Sequence, residues 1–508
     1  MKLFGLNRLA GLMLAATIAG APVALPALAQ EASAPAVAEA PAPETAATPA
    51  PAAEAAAPAV AEAAPAEEAA PATPDKGDTT WMLVSTVLVL LMIVPGLALF
   101  YGGLVRQKNM LSVLMQVTTV AAIGMIAWLF WGYSLAFTDG GGLNKFVGGL
   151  GKVGLAGVTV SSNVETFSNG VVIPEMVFIA FQMTFAAITA ALVIGGIVER
   201  IKFGAIVLFA LLWPLLSYYP MAHMVWWWAG ATSGFGMSAD EIAGGAGLLW
   251  GWGALDFAGG TVVHINAGIA ALVGALMLGK RVGYGKEPMP PHSLTLTMAG
   301  AGMLWVGWFG FNAGSNLEAN GYAALAMINT FVATAAAGLS WALTEKLLRG
   351  KASGLGVASG LVAGLVAVTP AAGFAGPVGA VVLGLVVSPI CVLFCSYVKN
   401  ALKYDDSLDA FGIHAVGGIV GAIATGILVN PALGGAGVVD FTTGETVYDA
   451  GFQIMAQLKA VGVAVVWSAV ASAIVFGLIK VIFGLRVSPE TEEEGLDIAA
   501  HGERAYHA

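Results

Sequence analysis

From Thr79 onward the chain is a succession of long apolar stretches separated by short polar joints. In hydrocarbon every backbone N–H and C=O must find a partner within the spanning structure, so such a chain can fold only as a helix bundle or a closed barrel. The stretches suit helices of about 20 residues, and the ten-residue alternation of barrel strands is absent. The spans read as 79–104, 112–137, 174–198, 203–222, 260–279, 293–312, 322–347, 354–371, 376–400, 410–429 and 453–485. The expected fold is an all-α polytopic membrane protein of eleven transmembrane helices with one long final helix. Composition agrees: 58% of the 508 residues are hydrophobic and 10% charged, where soluble proteins carry roughly 25% charged residues. Much of the net charge of −10 sits in the two terminal segments. No basic cluster suggests nucleic acid.

Residues 1–29 read as a signal peptide. Lys2 and Arg8 precede an apolar stretch, and Ala27-Leu28-Ala29 is a small-residue cleavage site before Gln30. A retained first helix is disfavoured because the apolar run is short and broken by Gly20 and Pro22. Residues 30–78 are nearly all Ala, Pro, Glu, Thr and Val. Such a low-complexity segment cannot bury a core, so an extended extracytoplasmic arm is expected, acting as tether, spacer or filler. Residues 79–486 form the membrane domain and 487–508 a polar tail.

Lysine and arginine set the orientation. Arg106 and Lys108, Arg200 and Lys202, Lys280, Arg281 and Lys286, Lys346, Arg349 and Lys351, and Lys399 and Lys403 fall in alternate loops. Those loops are expected in the cytoplasm. With eleven helices the mature N-terminus is then outside and the C-terminus inside, which agrees with a cleaved signal.

Eleven helices divide as five, five and one, so the first two groups would have opposite topologies, as in inverted-repeat transporters. His264 falls in the fifth helix and His414 in the tenth. An ionisable group at membrane depth costs several kcal/mol (about 2.5 or more for a centred charge) and marks a functional position. Gly268 and Gly418 each follow their histidine by four residues, and Asp256 and Asp406 each precede theirs by eight. The glycines would bring backbone close to the histidine face; the aspartate spacing alone could be coincidence. The two histidines are expected to meet across one pore. Cys391 and Cys395 share a helix face and read as small buried hydrophobes.

The stretches FQMTFAAITAALVIGGIVERIKF (181–203), YYPMAHMVW (218–226), GALDFAGGTVVHINAG (253–268), GKRVGYGKE (279–287), GWFGFNAGS (307–315) and FGIHAVGGIVG (411–421) resemble the bacterial ammonium transporter (Amt) family. The resemblance runs from about Trp81 to the end. It implies a homotrimer in the inner membrane, each subunit with its own pore conducting ammonium or ammonia inward.

The resemblance assigns Trp226 and Ser315 to an outer substrate-binding site. An indole face attracts a cation, although a tryptophan at a membrane interface is ordinarily an anchor. It assigns Phe185 and Phe311 to the pore gate, with Phe185 also at the substrate site, and places Phe181, Gln182 and Trp308 in support. On spacing alone, Phe181 and Phe185 read as a core pair. The family's lumen carries twin histidines at the positions of His264 and His414. Two imidazoles can share one proton, one nitrogen donating and the other accepting. Asp256 either attracts the cation or caps backbone N–H groups near Trp226. The implied mechanism recruits ammonium, removes a proton near the two phenylalanines and passes ammonia through an apolar lumen, where the histidines either receive ammonia alone or also relay the proton.

Read from composition, the tail is a solvated segment. The resemblance instead packs it beneath the pores, where it couples subunits and receives a PII-type signal protein; Arg486, Gly495, Asp497, His501, Gly502 and Tyr506 carry that match. Two features depart from the family: the long acidic arm, and an expanded loop between Trp226 and Asp256 with Trp227, Trp228, Trp250 and Trp252. That loop leaves the choice among its tryptophans open. The rival functions are an ammonium sensor with little flux and a gas channel of the related Rh type. No nucleophile–base set or metal cluster is present in the sequence, so neither an enzyme nor a cofactor is expected.

Overall fold

The computed structural model describes residues 72–234 and 237–506; the signal sequence and most of the arm lie outside the described residues. Among the described residues, eleven helices are long and apolar enough to span a membrane: α1 (Lys76–Leu104), α2 (Gln107–Phe137), α3 (Glu175–Ile197), α4 (Phe203–Trp226), α5 (Gly260–Leu278), α6 (Leu294–Gly314), α7 (Gly321–Arg349), α8 (Gly354–Ala371), α9 (Pro377–Leu402), α10 (Phe411–Leu428) and α11 (Ala450–Ile482). The expected boundaries hold to within a few residues. Two of the differences come from caps that hydropathy does not register. Asp75 accepts from the N–H groups of Gly77 and Asp78, starting α1 ahead of Thr79. Asp449 accepts from Phe452, starting α11 at Ala450.

The most enclosed span is α3, and the least enclosed is α11. Among the described residues, two short antiparallel pairs decorate the loops, β1 (Asn163–Glu165) with β2 (Val172–Pro174) and β3 (Val438–Val439) with β4 (Thr446–Val447).

Helices α5 and α10 run in opposite directions. Arg200 donates to Gly279 O, just past the end of α5, at 2.8 Å and to Asp405 O, ahead of α10, at 2.7 Å. At the other end Gln453 and Gln457 of α11 donate to Gly253 O and Leu255 O, before α5, while Gln457 also reaches Ala422 O of α10. The fifth and tenth helices of the chain are thus inverted relative to each other. They cross where glycine permits. A methyl at Gly268 would lie 2.3 Å from Ala415 N, and one at Gly418 would lie 2.9 Å from Gly260 O and 3.2 Å from His264 Cβ. Each helix therefore presses its glycine onto the histidine-bearing turn of the other.

Charges collect at the end where α5 finishes. Arg281 bridges Glu199 (2.7 Å) and Asp405 (2.8 Å), and Arg106 adds a second bond to Glu199 at 3.1 Å. Burial would raise the Glu199 carboxyl, but Arg281 and Arg106 hold it down at about 2.

The tail is docked here rather than solvated, which corrects the reading from composition. Two short helices, α12 (Pro489–Glu494) and α13 (Leu496–His501), follow α11. Arg486 pairs with Glu492 at 2.7 Å, and Glu492 accepts from Val282 N at 2.6 Å. Asp497 accepts from Leu111 N (3.1 Å) and Ser112 N (2.8 Å), so a tail carboxylate satisfies orphan donors of α2. Gly495 has φ +108°, and a methyl there would meet Lys108 O at 2.7 Å. His501 packs edge-on against Phe203, Gly502 ends α13 in the left-handed region, and Tyr506 reaches His292 at 3.2 Å. These carboxylates lose water but gain N–H and guanidinium partners, which composition cannot show.

Candidate functional site

A column of rings runs through the bundle. Trp226, the last residue of α4, meets Phe185 of α3 edge-to-face, with centroids 6.0 Å apart and planes at 81°. Phe185 stacks on Phe311 of α6 at 4.2 Å and 16°. Phe311 lies 6.0 Å from the His264 ring, and Trp308 stacks on that ring at 5.3 Å and 20°. His264 then stacks on His414 at 5.3 Å and 19°, with their Nδ1 atoms 3.3 Å apart. Phe185, Phe311, Trp308, His264 and His414 are all buried. Their helices deliver them from separate parts of the sequence: α3, α4, α5, α6 and α10 each supply at least one ring.

A narrow cavity lies beside the column, lined by Met92, Leu97, Phe100, Ile188, Leu192, Leu304, Trp308, Phe311, Val362 and the two histidines. Apart from the imidazoles and the Trp308 indole its wall is apolar: aliphatic side chains, two phenyl rings and the Met92 thioether. His264 Nε2 is buried without a protein hydrogen-bond partner. The 3.3 Å contact between Nδ1 atoms requires one to donate and the other to accept, because two N–H groups or two lone pairs would repel.

The Trp226 end is built around Asp256. Its Oδ1 accepts from Gly259 N (2.9 Å) and Gly260 N (2.6 Å), and its Oδ2 from Thr261 N (2.8 Å) and Val262 N (3.0 Å). Four donors on one carboxylate make it the N-terminal cap of α5. Burial pushes its carboxyl up from the ordinary value, while these N–H groups pull it down. Its backbone carbonyl accepts from Trp226 Nε1 at 2.9 Å. One residue thus caps α5 and anchors the tryptophan. Asp406 repeats the arrangement at α10, accepting from Ala410 N (3.1 Å) and Phe411 N (2.8 Å). The equal spacing of the two aspartates from their histidines has a structural cause: each caps the helix that carries its histidine.

Among the described residues, Trp226 is the loop tryptophan whose ring reaches Phe185. Trp227 stacks on His223, and Trp228 stacks on Trp250 and touches Phe441. Trp252 faces Lys459 at 5.8 Å. Ser315, the residue that ends α6, donates its Oγ–H to Phe311 O at 2.8 Å, which ties it to the turn carrying Phe311 and keeps the oxygen lone pairs available as acceptors. Phe181 packs against Phe185 at 4.9 Å, and the Gln182 carbonyl oxygen is buried without a partner. The structure also shows a polar seam behind Trp308, formed by Asn312, Thr330 and Thr369. Sequence reasoning missed it, because a threonine before Pro370 reads as a helix end.

A family model described as Ammonium Transporter Family matches residues 80–506. The chain belongs to the ammonium transporter family. An ammonium transporter of Aquifex aeolicus is 45% identical over 438 residues, covering 85% of this chain and 94% of that one. One from Bacillus subtilis is 41% identical over 430 residues, covering 85% and 98%. Among solved structures, Mep2 of Saccharomyces cerevisiae aligns with a TM-score of 0.70 at 34% identity, covering 82% of this chain and 91% of that one. A structure titled Sensor Amt Protein aligns with a TM-score of 0.72 at 26% identity, covering 84% and 98%. As a member of the ammonium transporter family, this multi-pass membrane protein transports ammonium, and the ring column is its candidate path.

Proposed function

We propose that Trp226 and Ser315 recruit the ammonium cation, that it gives up a proton near Phe185 and Phe311, that the ammonia so formed crosses the apolar lumen past His264 and His414, and that the proton is relayed through the hydrogen bond between the two imidazoles to rejoin ammonia on the inner side. The observation that carries this reading is the unbroken ring column from Trp226 to the paired imidazoles. An indole face and a free hydroxyl acceptor suit a cation. The hydrocarbon wall below does not, because an unpaired charge in such surroundings costs many kcal/mol. Losing a proton removes most of that cost, and potassium has no proton to lose. The imidazole pair can receive ammonia and pass a proton without holding two charges.

The loop lysines and arginines support an inner-membrane orientation with the docked tail in the cytoplasm and Trp226 outside. We extend the reading to a cleaved signal peptide, a homotrimer and a PII-type signal protein at the tail face. The wide α1, α6, α7 and α11 faces with exposed Leu, Val and Phe side chains are suited to lipid and to neighbouring subunits.

Currents evoked by ammonium pulses on proteoliposomes test the path. Wild-type protein should pass ammonium current and exclude potassium. Retention of wild-type current and selectivity by both His264→Ala and His414→Ala would remove the histidines from it. Methylammonium uptake separates transport from sensing, since a sensor binds with little uptake.

A further inference from the structure

The Trp308 ring has two commitments. One face stacks on His264 at 5.3 Å and 20°, and the ring also touches Phe311 at 5.3 Å. Its edge belongs to Thr369: the indole Nε1–H donates to Thr369 Oγ1 at 2.9 Å. Thr369 carries one hydroxyl proton. That proton goes to Leu365 O at 2.7 Å or to Asn312 Oδ1 at 3.3 Å, which leaves the oxygen lone pairs to the indole. Asn312 donates in turn to Thr330 Oγ1 at 3.0 Å, and Thr330 donates to Ala326 O at 2.7 Å. Thr369, Asn312 and Thr330 are fully buried. Helices α6, α7 and α8 therefore contribute to one hydrogen-bonded seam that ends on an indole of the lumen wall.

A buried indole N–H without an acceptor is expensive, so the acceptor determines how the ring sits. If Thr369 lost its oxygen, the indole would have to seek another acceptor. On its lumen side stands His264, whose Nε2 has no protein partner. A ring that turned that way would disturb the imidazole it now supports and widen the lumen beside Phe311.

We infer that Thr369, held by the Asn312–Thr330 seam, is a positioning residue that fixes the plane of Trp308 and through it the His264 ring, so that the lumen discriminates ammonium from its methylated analogue. The inference rests on the proposed path past Trp308. A bore set by flat, fixed rings admits ammonia more readily than methylamine, which needs the room of an extra methyl group. A loose ring erodes that difference.

The test compares full-length wild type, Thr369→Val, Thr369→Ser, Trp308→Phe and the Thr369→Val/Trp308→Phe double variant in proteoliposomes, with ammonium and methylammonium currents as readouts. Valine keeps the branched shape and removes the acceptor. Thr369→Val should lower the ammonium-to-methylammonium ratio by about fivefold, the effect of one hydrogen bond. Thr369→Ser should keep the wild-type ratio. In the Trp308→Phe background, Thr369→Val should add nothing, because the indole N–H is gone. An unchanged ratio in folded Thr369→Val overturns the inference, as does an effect of equal size in the Trp308→Phe background. If Thr369→Val does not assemble, Thr330→Val releases the far end of the seam, and a wild-type ratio there overturns it equally. Trp308→Phe with wild-type currents and ratio overturns the proposed path and the inference together. An altered Trp308→Phe beside an unaltered Thr369→Val overturns the inference alone.

Discussion

The Nδ1 atoms of His264 and His414 lie 3.3 Å apart at the crossing of two helices that run in opposite directions. Each imidazole supplies what the other lacks, one a proton and the other a lone pair. Removing either ring leaves a buried nitrogen without its partner, at about 1–3 kcal/mol. Ammonium current through His264→Ala or His414→Ala is therefore expected to fall about tenfold or more. Solid-supported membrane electrophysiology checks this, with potassium as the selectivity control.

Asp256→Asn separates capping from cation attraction. The carboxylate uses both oxygens to accept four N–H bonds. Asparagine retains one acceptor oxygen and turns an NH2 group toward two donors. Its melting temperature in detergent should drop, corresponding to about 1–3 kcal/mol. The Trp226 anchor is the backbone carbonyl of this residue, which the substitution keeps. Ammonium affinity of the folded variant should accordingly stay near wild type. A large affinity loss without a stability loss would mean that the carboxylate charge attracts the cation.

Gly268→Ala tests the helix crossing. The added methyl would stand 2.3 Å from Ala415 N, a backbone atom that cannot swing aside. Overpacking of this kind costs about 1–3 kcal/mol or more. Reduced yield of folded protein by size-exclusion chromatography is the expected result, and Gly418→Ala should behave alike.

The Glu199 network predicts an acid limit. Its carboxyl sits at about 2, below the ordinary 4.5. The associated stability is fully present above about 4.5 and is lost as pH falls toward 2. Its size is on the order of 3 kcal/mol at most. Melting temperature measured from pH 6 to about 3 should fall more steeply for wild type than for Glu199→Gln, which starts lower and lacks this proton uptake.

Asp497→Ala should release the tail. It removes the acceptors of Leu111 N and Ser112 N. Hydrogen exchange at those two amides and through residues 489–501 should accelerate. Unchanged protection would show that Glu492, together with the bond from Leu496 N to Asn109 Oδ1 at 2.9 Å, holds the tail without it.

Features that repeat along one segment were legible in the sequence. Apolar length located the eleven spans. The matched positions of His264 and His414, with Gly268 and Gly418 behind them, foretold the crossing, because helical spacing and inversion are both one-dimensional patterns. Asp256 and Asp406 showed the same regularity, but only the hydrogen bonds turned it into twin caps. What stayed hidden depends on partners far away in the chain. Glu492 and Asp497 look solvated until Val282 and the start of α2 are placed beside them. Thr369 looks like a helix end until the Trp308 indole arrives. Trp226 could be told from its four neighbouring tryptophans only when Phe185 was in place.

The reciprocal seating of Gly268 and Gly418 has a mechanical consequence. Tilting one five-helix half against the other would pull both glycines off the backbone they touch, at the two histidine turns simultaneously. The bore is therefore held as a rigid bearing. With Trp308 and His264 also held in place, the rings whose rotation would open the path are those of Phe185 and Phe311, so a small solute is expected to be admitted by turning a phenyl group while the frame stays still.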